Sequence, residues 1–121
     1  MAIRPAFLVA EPEPQHALSV RKLVLETGKF NVLTAHSTRE AIDILQMFPN
    51  ISAAVIVSGD QIDCEKIAQQ VRNTTPKLPI VFLTPLHGGN CRGVDHILPS
   101  GEPETLVELM RSLLGDPRTM E

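Results

Sequence analysis

A chain of 121 residues with 43% hydrophobic residues is long enough to bury one full core and too short for two domains. Its net charge of −3 argues against a nucleic-acid surface driven by counterion release, and with no Trp, no Tyr and four Phe the core falls to Ile, Leu and Val. No stretch is long or apolar enough to span a membrane, and the opening Met1-Ala2-Ile3-Arg4-Pro5 lacks a signal-peptide apolar region, so the expectation is a cytoplasmic domain over 1–115 with 116–121 as a tail or linker start.

Ala6-Phe7-Leu8-Val9-Ala10 reads as a short buried strand, stopped by Glu11-Pro12-Glu13-Pro14. Pro14 suits the first turn of a helix, and Glu13 is favourable at the positive end of its dipole. Leu18, Val20, Leu23, Val24 and Leu25 supply that helix's apolar stripe, and Gly28 terminates it. Asn31-Val32-Leu33-Thr34-Ala35 is the second strand. Ser37-Thr38-Arg39-Glu40 has capping-box spacing, with Ala41, Ile44, Leu45 and Phe48 following at helical intervals before Pro49. Ala53-Ala54-Val55-Ile56-Val57 is a continuous apolar run, the mark of a strand buried on both faces. Ile67, Ala68 and Val71 predict a helix over 63–72. Ile80-Val81-Phe82-Leu83-Thr84 is the fourth strand, and Ile97-Leu98, extending back toward Asp95, a short fifth. Pro103 opens the last helix, Leu106, Leu109, Met110 and Leu113 form its stripe, and Gly115 stops it.

Strands and helices in alternation, with strands apolar on both faces, predict an α/β domain of three αβα layers around a parallel sheet. One connection breaks the rhythm. The segment 85–95 holds 11 residues and includes Pro85, Gly88, Gly89, Asn90 and Gly93. A parallel crossover normally needs a dozen or more residues with a helix inside, and this composition opposes one. A loop or single turn is therefore expected where a fourth helix would stand. With that cover reduced, Val81, Phe82 or Leu86 is expected to be more exposed than usual.

In open α/β sheets, ligands gather at the carboxyl ends of the strands. The tip of the central strand is Ser58, followed by Gly59 and Asp60. The acidic cluster after the first strand, Thr84 ending the fourth, and the run His96-Ile97-Leu98-Pro99-Ser100-Gly101-Glu102-Pro103-Glu104-Thr105-Leu106 together resemble a response-regulator receiver domain. The resemblance covers about residues 6–114. It implies a flavodoxin-like five-stranded sheet in the order 2-1-3-4-5. It also implies a pocket that holds Mg²⁺ and an Asp carboxylate that accepts a phosphoryl group, helped by a Lys and a Thr or Ser.

This chain departs from that pattern at three positions. Ser58 stands at the acceptor, Pro12 (between Glu11 and Glu13) at the key metal-binding carboxylate, and Pro99 at the lysine, while Thr84 is retained and His96 takes the switch-aromatic position. Ser58 cannot form an acyl phosphate, and neither Pro can bind metal or carry charge. Asp60 is the one rescue candidate, but with Glu11 and Glu13 it would gather carboxylates without a cation. The resemblance thus implies a pseudo-receiver: a non-enzymatic, phosphorylation-independent interaction module without cofactor or metal. Its partner would be a signalling protein or a second copy. Leu86, His87 and Arg92, in the shortened segment, are the candidate interaction surface, together with part of the last helix. The alternatives are a receiver phosphorylated at Asp60 and a small-ligand-binding flavodoxin-like domain.

The remaining chemistry-bearing residues are read as structural. His87, Cys91 and His96 match no standard zinc spacing. Cys64 opens a predicted helix, where a thiolate is favoured, but Asp63 and Glu65 beside it oppose one. Two cysteines suggest no disulfide framework. Gly88-Gly89 is a flexible loop, since neither GxxxxGK[ST] nor GxGxxG is present.

Overall fold

The computed structural model describes residues 6–12, 30–48, 50–59, 61–85, 89–99 and 103–114. Five parallel strands form one sheet: β1 (Ala6–Ala10), β2 (Asn31–Ala35), β3 (Ala53–Val57), β4 (Ile80–Thr84) and β5 (His96–Pro99). Their order is β2-β1-β3-β4-β5, as expected. Three helices lie among the described residues: α1 (Thr38–Met47), α2 (Cys64–Thr74) and α3 (Pro103–Leu114). The helix expected after Pro14 falls outside the described residues.

Strand alternation divides the core in two. Phe7, Val9, Ala53, Val55, Val57, Val81 and Leu83 meet Leu106, Val107 and Met110 of α3 on one face. Leu8, Ala10, Ala54, Ile56, Ile80 and Phe82 face the other way, toward Ala41 of α1 and Ile67, Ala68 and Val71 of α2. The central strands are buried throughout, which is why they read as unbroken apolar runs.

Local signals set the helix starts. Ser37 Oγ accepts from the Glu40 N–H at 3.2 Å, and Asp63 Oδ1 accepts from the Lys66 N–H at 3.1 Å, so each side chain satisfies an amide that the helix leaves unpaired. α2 runs past the expected Arg72 to Thr74. Phe48 is a C-cap rather than part of the stripe and is exposed, as is Leu113. Val107, which the expected stripe omitted, is buried.

No described residue of 85–95 is helical, in line with the missing fourth helix. The consequence drawn for Val81 and Phe82 is wrong: their exposures are 0% and 5%. Val81 points to the α3 face, where the lost helix is irrelevant. Phe82 shares a cluster with Ile67, Ala68, Val71 and Cys91, so the loop itself supplies cover. The exposed apolar residue is instead Ile97, at 44%, on the edge strand β5 and in register with Phe82. Leu86 lies outside the described residues.

Candidate functional site

The carboxyl ends of β1, β3, β4 and β5 bring Glu11, Pro12, Ser58, Thr84 and Pro99 to one edge of the sheet. Glu11 is buried; its N–H donates to Ala35 O at 2.9 Å, and its carbonyl oxygen lies 3.2 Å from His36 Nδ1. These bonds tie the end of β1 to the end of β2. Ser58 is half-buried and held by its N–H, which donates to Leu83 O at 2.9 Å. Thr84 is buried and in register with the exposed Pro99. His96 opens β5 opposite Val81 and is half-buried. Glu13, Asp60 and His87 lie outside the described residues.

Gly59 decides the shape of this edge. It makes a tight turn in which the Ile62 N–H donates to Gly59 O at 3.2 Å. A Cβ built on Gly59 would overlap Cγ of Pro12 and lie 3.2 Å from its Cδ. The Pro12 ring therefore sits directly on the Gly59 backbone. Mg²⁺ requires oxygen ligands in near-octahedral array, usually with one or two carboxylates. A pyrrolidine ring supplies none, and among the described residues no three His, Cys, Asp or Glu side chains are grouped to hold a metal. The described residues of this edge do not fit a Mg²⁺ ion.

The starts of α1 and α2 are tied to the same edge. Thr38 donates from its N–H (3.1 Å) and its Oγ1 (3.2 Å) to Gln61 O, and Thr38 Oγ1 accepts from the Asp63 N–H at 2.8 Å. The loop after Ser58 is thereby fixed by two helices.

The shortened connection between β4 and β5 is fastened to α2 at two points, neither expected from the sequence. Cys64, on the first turn of α2, forms a disulfide with Cys91, with Cα atoms 6.2 Å apart. This corrects the reading of both cysteines: they pair, and Cys91 offers no thiolate to a metal. The sequence placed them 27 residues apart and held no sign of their spatial proximity.

Arg72, in the last turn of α2, makes the second fastening. Its Nη1 donates to Pro76 O (2.8 Å) and Leu78 O (2.9 Å); its Nη2 donates to Gly93 O (3.0 Å) and Asp95 Oδ2 (2.7 Å). The same Asp95 Oδ2 accepts the Ile80 N–H at 2.7 Å, and the Asp95 N–H returns a bond to Ile80 O at 2.9 Å. Burial pushes the Asp95 carboxyl up. The hydrogen bonds from Arg72 and Ile80, with the charges of Arg72 and His96, outweigh that and hold it below its ordinary value. Gly93 completes the fit with φ +93°, where a Cβ would also stand 3.3 Å from Ala68 Cβ. Arg92 is exposed beside it and lines, with Asp63, Glu65, Lys66 and Arg72, an open depression of about 760 Å³. Both signs of charge line it, so it selects no ligand chemistry.

No protein-family model matches the chain, and no curated protein matches it by sequence. Solved structures do. A response regulator receiver domain protein from Clostridium thermocellum superposes with a TM-score of 0.78 at 19% identity, covering 97% of this chain and 99% of that one. The receiver domain of the sensor histidine kinase PA1611 from Pseudomonas aeruginosa, with magnesium in its active-site cleft, gives 0.75 at 17% identity, with coverages of 93% and 99%. The response regulator TrrA from Thermotoga maritima, in complex with Mg²⁺-BeF, gives 0.71 at 21%, with coverages of 91% and 99%. The chain has the receiver fold, flavodoxin-like and CheY-like in topology.

Proposed function

We propose that this chain is a pseudo-receiver: a signalling module that keeps the receiver fold, catalyses no reaction and engages a protein partner without being phosphorylated. The observation that carries the reading is the Pro12 ring seated on Gly59. A pyrrolidine ring there offers hydrocarbon and no oxygen ligand, whereas PA1611 and TrrA, which share the fold, are solved with magnesium. Ser58 at the acceptor position and Pro99 at the lysine position remove the nucleophile and the cation from the same edge.

The partner face in this reading is the shortened connection, with Arg92 exposed on it, together with part of α3; Ile97 on β5 is also exposed. An exposed apolar residue and an exposed cation suit contact with a signalling protein or a second copy of the chain.

Incubating the chain with acetyl phosphate and Mg²⁺, and separately with beryllofluoride and Mg²⁺, tests the proposal by intact mass and amide NMR shifts. The expected result is no phosphoryl adduct and no shift at Ser58, Thr84 or His96. A stoichiometric adduct mapped to Asp60 overturns it in favour of a displaced acceptor.

A further inference from the structure

We propose that Cys64 and Cys91 are a reversible thiol–disulfide exchange site, acted on by low-molecular-weight thiols and disulfides, that sets whether the segment 89–92 is docked on α2. The proposal stands apart from the partner reading: it needs neither a partner nor the silence of the acceptor pocket.

The pair is placed for it. Cys64 is half-buried, while Cys91 is 4% exposed and belongs to the core cluster under α2. Cys64 is thus the more exposed member of the pair and Cys91 the more sheltered. The two are the chain's whole cysteine content, so no third thiol competes for either. Cys91 is also where the connection is anchored. From Gly93 onward, Arg72 and Asp95 hold the chain independently. Among the described residues of 89–92, the disulfide is the one side-chain cross-link to α2, and the Cys91 N–H turns back to Asn90 Oδ1 at 2.9 Å. Cutting the bond therefore leaves the sheet and the Arg72 clamp in place and frees a short, bounded piece of surface.

The exchange balances with a thiol/disulfide couple such as glutathione. In oxidation, Cys64 gives up its proton and its thiolate attacks one sulfur of the small disulfide, expelling one thiolate and forming a mixed disulfide. Cys91 then loses its proton, attacks the Cys64 sulfur and expels the second thiolate. Two protein thiols are oxidised, one small disulfide is reduced, and the two released protons end on the two small thiols. Reduction runs the same steps backward, entering at the sulfur of Cys64, the more exposed residue of the pair.

The test uses the full chain, equilibrated with oxidised glutathione or with excess dithiothreitol, then alkylated for mass analysis and followed by amide hydrogen exchange. The expected result is a closed pair in the first state and two alkylated thiols in the second. Exchange at residues 89–92 rises about ten-fold or more on reduction, while Val55 and Phe82 change less than about two-fold, the signature of local opening. Three outcomes each overturn the proposal: two free thiols after oxidised glutathione, unchanged exchange at 89–92, or loss of Val55 and Phe82 protection on reduction, which makes the bond a requirement of the whole fold. The order of attack is checked with single variants. Cys91→Ser should take up glutathione at Cys64 at least about ten-fold faster than Cys64→Ser takes it up at Cys91; equal rates remove Cys64 as the entry point.

Discussion

The two faces of the sheet are built on different principles. The α3 face is hydrocarbon against hydrocarbon: Val81 and Leu83 meet Leu106, Val107 and Met110. The opposite face starts the same way under α1 and α2, but no described residue of the connection after β4 is helical. There the cover is a loop, held down by a disulfide, by one arginine on three carbonyls and a carboxylate, and by a glycine pressed on Ala68. A helix can cover a sheet with an apolar stripe because its own amides are satisfied. A short loop has too few side chains facing inward and unpaired carbonyls besides, so it must be pinned by specific bonds. Apolar packing of this kind holds no titrating group or disulfide; pins of this kind respond to redox state and pH.

The largest effect should come from the packed face. Met110 is fully buried, and Met110→Ala should cost about 2–5 kcal/mol in denaturant unfolding by removing its transfer energy and leaving a cavity. That loss should be equal with and without reductant. A loss that changes with redox state would show that the two faces are energetically coupled rather than independent.

Next in size is the disulfide. Its removal should cost about 3.5 kcal/mol, the chain-entropy figure for a closed loop with a separation of 27 residues. Denaturation midpoints with and without dithiothreitol measure it. A difference below about 1 kcal/mol would mean that reduction also frees the loop in the folded state, offsetting the entropy gained by the unfolded chain.

What the sequence revealed divides along the same line. The strands were legible because both faces are apolar, and α1 because Ser37 lies three residues before Glu40. That no described residue of 85–95 is helical was legible from the Gly and Pro content of the segment. Its consequence was not. Phe82 stays buried because Cys91 packs into its cluster, and that depends on where a loop 27 residues from Cys64 happens to return. Arg72 looked like an ordinary basic residue closing a helix, since the carbonyls it serves come from two separate connections. At the candidate site, the substitutions at Ser58, Pro12 and Pro99 were readable position by position. The contact between the Pro12 ring and Gly59 was not, because it joins the ends of two strands that are sequence-distant neighbours.

The smallest effect, and the one most diagnostic of the pinned face, belongs to Asp95. Its carboxyl is held below the ordinary value, so the folded state binds its proton less readily than the unfolded chain does. Its contribution is therefore fully present above the unfolded carboxylate value of about 4 and is lost as pH falls through the lower folded value. Asp95 is 41% exposed in its pairing with Arg72, so solvent screening keeps the amount below about 1 kcal/mol. Asp95→Asn leaves an acceptor for the Ile80 N–H but takes away the charge opposite Arg72. The stability gap between parent and variant should close as pH drops below about 4. Met110→Ala should show no such closure over the same range, because no titrating group enters its cavity cost. A gap for Asp95→Asn that persists unchanged to pH 2 would mean that the carboxylate's charge adds nothing, leaving neutral hydrogen bonds to hold the loop.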